Sequence, residues 1–181
     1  KSSSKAINFA GVDDYIQIDS LLTSHGTDTN GTISAWINIS NITGERSVFS
    51  AGDWNANEYF EFAVSDGKII VYARTAAASQ FNVIATTASI NANKWHHIAI
   101  TQNGTRPTLY SDGLAIAMTD TIATNLTLWL AGFVGLDKAS IGCIVYNGTT
   151  IYDYLGAIAD FKIFNKALTP IQIRDLYENE K

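Results

Sequence analysis

The sequence predicts an all-β sandwich closed by one short C-terminal helix. Three observations predict it. Asn-Gly or Asp-Gly pairs punctuate the chain at Asn30-Gly31, Asp66-Gly67, Asn103-Gly104, Asp112-Gly113 and Asn147-Gly148. Such pairs accept the positive φ angles of two-residue hairpins. Between them lie short runs rich in Val, Ile, Thr, Tyr and Phe, the composition of strands. Only residues 168–180, LTPIQIRDLYENE, change to a helical period.

Each element follows in order. AINFAGVDDYIQI, residues 6–18, reads as strand residues around a turn, with Asp13 and Asp14 adjacent. Neighbouring like charges disfavour a strand there, so the pair marks a turn or a cation. TISAWINIS alternates, with Ile33, Ala35, Ile37 and Ile39 on one face and Ser34, Trp36, Asn38 and Ser40 on the other. YFEFAVSDGKIIVYAR reads as two strands around Asp66-Gly67, and KWHHIAITQNGTRPTLYSDGLAIAM as three strands around two turns. Pro107 belongs at a loop or edge position. In WHHIAI one histidine should point inward and the other to solvent, with Trp95 anchoring the core. The helix start combines Thr169 as N-cap, Pro170 as first helical residue and Gln172 completing a capping box. No internal repeat or boundary interrupts the chain, so residues 1–181 form one domain, with 1–5 a linker end.

Composition narrows the function. The chain has 181 residues, 46% hydrophobic and 16% charged, with a formal net charge of −5. That is neither a disordered nor a membrane-inserting chain. Without a basic cluster, nucleic acid is excluded as a partner. Cys143 is the single cysteine and sits in the strand-like SIGCIVY, so it reads as a small buried hydrophobe. Six Asn-x-Ser/Thr sequons occur, at Asn30, Asn38, Asn41, Asn103, Asn125 and Asn147. Hairpin chemistry already accounts for the three Asn-Gly-Thr cases, so glycosylation is not inferred.

AINFAGVDDYIQI, GTISAWINIS, KWHHIAITQNG, LYSDG and YLGAIADFKIFNKALTPIQIRDLY occur in that order. Together they resemble a laminin G-like domain of the concanavalin A-like lectin/glucanase superfamily, over nearly the whole chain. The resemblance implies a jelly roll of two packed antiparallel sheets with the terminal strands adjacent. It also implies a calcium site where those strands meet, which maps onto Gly11, Asp13 and Asp160. One departure weakens this: such last strands often read G-x-I-D-D, and GAIAD has Ala159 in place of one aspartate. The rival reading is a polar turn capped by Asp14. Asp53, Asn55 and Asn57 start a second, poorer calcium-loop match, without its glycine or distant glutamate.

The superfamily includes glycan-cleaving enzymes, adhesion domains and sugar-binding modules, so the fold does not choose. Retaining glycosidases need two carboxyl groups about 5–5.5 Å apart across the sugar. Glu58 and Glu61 are three apart and fall on opposite faces of a regular strand. A carbohydrate site needs flat apolar rings beside amides and hydroxyls. Trp54, in GDWNANEYF with Asn55 and Asn57, offers that platform or else serves as a lid on the core. Trp129, Tyr146 and Tyr152 are the further candidates. The expected function is therefore a non-catalytic carbohydrate-binding module, with Ca²⁺ as the one implied cofactor and a glycan or polysaccharide as partner. The alternative is a protein-adhesion or spacer module that meets a surface protein. Either belongs outside the cell or on a cell or virion surface, within a longer protein.

Overall fold

Alternation along the sequence becomes two stacked antiparallel sheets. The structure is a computed structural model and describes residues 6–180; the KSSSK edge lies outside the described residues. In chain order the strands are β1 (Ile7–Ala10), β2 (Ile16–Gln17), β3 (Gly31–Ile39), β4 (Glu45–Gly52), β5 (Tyr59–Ser65), β6 (Lys68–Arg74), β7 (Ser79–Ala85) and β8 (Trp95–Gln102). They continue with β9 (Pro107–Ser111), β10 (Leu114–Ala115), β11 (Met118–Ala123), β12 (Lys138–Ile141), β13 (Ile144–Tyr146), β14 (Thr149–Ile151) and β15 (Leu155–Phe164). Helix α1 (Ser20–His25), a 3₁₀ turn at Leu130–Gly132 and helix α2 (Pro170–Glu180) complete the fold. The sequence reading missed α1 and the 3₁₀ turn, both too short to show a period.

One sheet has the order β1-β15-β3-β8-β9-β10, the other β11-β7-β6-β5-β4-β12-β2. The β13–β14 hairpin forms a third, two-stranded sheet that packs on β4 and β5. Three turns have both central residues at positive φ: Asp66-Gly67, Asp112-Gly113 and Asn147-Gly148. They join β5 to β6, β9 to β10 and β13 to β14. Asn30-Gly31 is no hairpin. Gly31 begins β3, and a Cβ there would lie 2.4 Å from the Trp129 indole nitrogen, so the glycine is required by packing.

The core lies between the two large sheets. Ile33, Ala35, Ile37 and Ile39 all point into it, as their alternation predicts, and meet Phe60, Phe62, Val64 and Val71 from the other sheet. Each large side chain buried there contributes about 1.5–3 kcal/mol. The outer face of the six-stranded sheet is also covered. The capping box forms: the Thr169 amide donates to Gln172 Oε1 at 3.0 Å and the Gln172 amide to Thr169 Oγ1 at 3.3 Å. Helix α2 then lays Ile173 against Ala99, Tyr110 and Leu168. Tyr177 stacks on Trp36 at 5.5 Å. His96 points inward as expected, but His97 is also buried because the helix covers its face, and Trp95 is 43% exposed and does not anchor the core. The helix covers the face that strand alternation alone assigns to solvent.

Candidate functional site on the outer face of the seven-stranded sheet

The only large sheet face left without a helix belongs, among the described residues, to the seven-stranded sheet. Its side chains follow from register. The Asp66-Gly67 turn sets Tyr59 opposite Arg74 and Glu61 opposite Tyr72. Across β7, Tyr72 faces Asn82 and Arg74 faces Ser79. Because strands alternate, these residues share one face, while Phe60, Phe62, Val71 and Ala73 point to the core. Two adjoining rows result: Tyr59, Arg74 and Ser79 in one, Glu61, Tyr72 and Asn82 in the other.

The rings form a cluster. Tyr59 lies 5.3 Å from Tyr72 and 4.5 Å from Tyr146, centroid to centroid. Tyr146 arrives on the β13–β14 hairpin, which crosses the sheet over Gly52. A Cβ at Gly52 would stand 2.1 Å from the Val145 carbonyl oxygen, so only glycine lets the hairpin approach. Tyr152, 42% exposed, stands beside this group. Burial raises the Tyr59 hydroxyl pKa far above its ordinary value, with Tyr72, Glu61, Tyr146 and Tyr152 adding to the shift. Tyr59 is therefore a neutral hydrogen-bonding and stacking group.

Two polar groups here are left with unmet bonding capacity. Arg74 donates from Nη1 to Ser79 Oγ at 3.2 Å, its Nε is buried without a partner, and it has no ion pair among the described residues. Asn82 Oδ1 is likewise buried and unpartnered. Glu61 is buried, and burial together with the neighbouring Glu45 carboxyl raises its pKa well above the ordinary value. The face thus presents a guanidinium with no ion pair among the described residues. Glu58 does something else. Its Oε1 accepts from the Val134 and Gly135 amides, both at 2.9 Å, and its Oε2 accepts from Ala76 at 3.0 Å. It pins two rim loops, with both oxygens accepting from backbone amides and the side chain buried.

The rim next to the hairpin carries Trp54. Its loop is held by Asp137, whose Oδ1 accepts from the Trp54 amide at 2.8 Å, and by Asp53, which accepts from the Asn55 amide at 2.7 Å. Asp53 therefore caps a turn. Asn55 and Asn57 are exposed beside Trp54, which is itself 40% exposed.

Two predicted assignments need correction. Trp129 is 2% exposed, packs edge-on against Phe60 at 5.1 Å and fills the space left by Gly31, so it is core and not a sugar platform. The calcium ligands Gly11, Asp13 and Asp160 are not brought together. β1 runs antiparallel to β15 with Ala10 opposite Leu155 and Ile7 opposite Ile158. Gly11 and Asp13 follow the first pair, and Asp160 lies past the second, about 20 Å away along the strands. The acidic pair instead closes a turn: Asp14 Oδ2 accepts from the Ala10 amide at 2.8 Å, with Asp13 at φ 58°. No group of three or more His, Cys, Asp or Glu side chains among the described residues could hold a metal ion.

The residues that sequence reasoning missed are Tyr59, Tyr72 and Arg74. The signal was present. In YFEF and VYAR, Tyr59 and Glu61, and Tyr72 and Arg74, are each two apart, and one tight turn fixes how they pair.

The fold is shared with several solved structures. The CBM40 module of Ruminococcus gnavus IT-sialidase, solved with α2,3-sialyllactose, is 15% identical with a TM-score of 0.81, over 96% of each chain. A leech intramolecular trans-sialidase is 18% identical with a TM-score of 0.80, matching 94% of this chain but 26% of its own. A SAP-like pentraxin from Limulus polyphemus is 15% identical with a TM-score of 0.63, over 95% of this chain and 81% of its own. No curated protein matches the sequence. The laminin G-type family model described as the concanavalin A-like lectin/glucanases superfamily matches residues 10–174, and the chain belongs to that family.

Proposed function

We propose that this chain is a non-catalytic carbohydrate-binding module that takes glycans bearing an acidic sugar on the outer face of its seven-stranded sheet. The observation that carries this is Arg74. A guanidinium with no carboxylate partner sits beside a tyrosine cluster and the unsatisfied Asn82 Oδ1. A sugar carboxylate would supply the missing charge-assisted bonds, and the rings would meet the pyranose. The R. gnavus module of the same fold was solved with both α2,3- and α2,6-sialyllactose, which supports the reading. Cleavage is not expected. Glu58 is consumed by three amides and Glu61 lies buried beside Glu45, so neither is available to flank a glycosidic bond. On this reading the protein works where glycans are displayed, outside the cell or on a virion surface.

Titration calorimetry with 3′-sialyllactose and with lactose tests the proposal. Affinity for the acidic glycan should lie in the millimolar to micromolar range, roughly −4 to −8 kcal/mol, and lactose should bind far more weakly. Arg74→Ala should weaken binding at least about tenfold, with the melting temperature nearly unchanged. Equal binding of lactose and sialyllactose, or full affinity in a folded Arg74→Ala variant, would overturn the assignment.

A further inference from the structure

Beyond the hairpin from the tyrosine face lies a cleft of about 300 Å³, lined by Tyr15, Gln17, Asp19, Trp54, Asp137 and Lys138. Gly52 pairs with Lys138 on one side and Tyr59 on the other, so cleft and face are two strand spacings apart, roughly 10 Å. We propose that this cleft is a second saccharide site, and that it takes a neutral hexopyranose unit.

Three observations carry it. Two large rings, Trp54 and Tyr15, are each 40% exposed at its edge. An apolar ring open to water gives the fold little, yet its apolar surface is what the CH face of a pyranose covers. The Trp54 loop is also ordered in advance, by the Asp137–Trp54 and Asp53–Asn55 bonds and by Glu58 pinning the adjoining 134–135 segment. Binding there meets little further ordering cost. Finally, the polar lining suits hydroxyls and not an anion. Asp19 Oδ1 accepts from the Ala139 amide at 2.9 Å and its Oδ2 stands 3.4 Å from Lys138 Nζ. Burial opposes ionisation of Asp19, but Ala139, Gln17 and Lys138 outweigh it and hold the carboxyl below its ordinary pKa. The only lining cation is thus already paired, and Asp137 leaves the cleft net negative. A sugar carboxylate is repelled here, while Gln17, Asp137 and Lys138 offer donors and acceptors to hydroxyl groups.

The test is a ¹H–¹⁵N titration that follows the Trp54 indole N–H. The probes are the methyl glycosides of glucose, galactose, mannose and N-acetylglucosamine, taken to roughly 0.1 M, well above a millimolar Kd. At least one should shift the Trp54 signal saturably. Gln17→Ala and Lys138→Ala should each weaken that response at least about tenfold, and unchanged melting curves would show that both variants are folded. N-acetylneuraminic acid should leave Trp54 unmoved and shift the Arg74 Nε–H signal. The proposal is overturned if no neutral glycoside moves Trp54, if the shift survives both substitutions, or if the acidic sugar moves Trp54 as strongly. Failure of the acidic sugar to move Arg74 would count against the tyrosine face alone, so the two readings fail separately.

Discussion

His97 shows how a single side chain can set a pH dependence. It is fully buried beneath α2, with Trp36 at 5.6 Å and Tyr177 at 6.1 Å, and neither ring nitrogen has a hydrogen-bond partner. Burial drives its pKa down to about 4, against a partial upward pull from Asp112 and a further downward push from Lys162. The unfolded chain therefore takes up this proton near pH 6.5, while the folded chain resists it until about pH 4. Its contribution is complete above pH 6.5 and is lost as pH falls through that window. The loss is on the order of 3 kcal/mol. Urea unfolding at a series of pH values should show this slope, and His97→Phe should flatten it. A slope unchanged in the variant would assign the effect to other groups. The two tryptophans make a matched comparison at the same scale. Trp129→Ala should cost about 3–5 kcal/mol, as for a buried aromatic. Trp54→Ala should cost about 1 kcal/mol or less, because its ring is substantially exposed. Chemical denaturation of the pair checks both.

At the scale of elements, what the sequence discloses is what local chemistry decides. The hairpin at Asp66-Gly67 and the capping box at Thr169 form as read, because each depends on residues within a few positions. The sequons behave similarly. Asn103 and Asn125 each accept from the amide and hydroxyl of the threonine two residues on, so their Asn-x-Thr pattern builds turns. What distant elements decide was not legible. Trp129 reads from its neighbours as a candidate sugar platform, but its partners are Gly31 and Phe60, far away in sequence. Trp36 lay on a polar face until α2 covered it. The expected pairing of the first and last strands is correct, yet its register was unreadable, and register alone separates Asp13 from Asp160. A double-mutant cycle measures that separation. Asp13→Ala and Asp160→Ala should have additive effects on stability, within about 0.5 kcal/mol, in Ca²⁺ and in chelator alike. Coupling that appears only with Ca²⁺ would restore a shared ion.

At the scale of the molecule, the two sheets divide the work. The outer face of the six-stranded sheet is a second, smaller core, with Ile173 fully buried against Ala99, Tyr110 and Leu168. The outer face of the seven-stranded sheet keeps an unpaired guanidinium and a buried unpartnered amide oxygen, at the expense of stability. Unmet bonding of this kind is what a ligand can exploit. The main core lies between the faces, and the buried residues under the helix form a cluster separate from it. Stability and glycan affinity should therefore be separable. Ile173→Ala removes a buried branched side chain and should cost about 2–5 kcal/mol. Wherever that variant is still folded, its sialyllactose affinity should match the parent's. Arg74→Ala should do the reverse, losing affinity at a nearly constant melting temperature. Combined, the two changes should add in both readouts to within about 0.5 kcal/mol, as expected for distant sites without shared partners. A non-additive affinity would mean that the core transmits strain from the helix-covered face to the proposed glycan face. The two sheets would then act as one coupled unit.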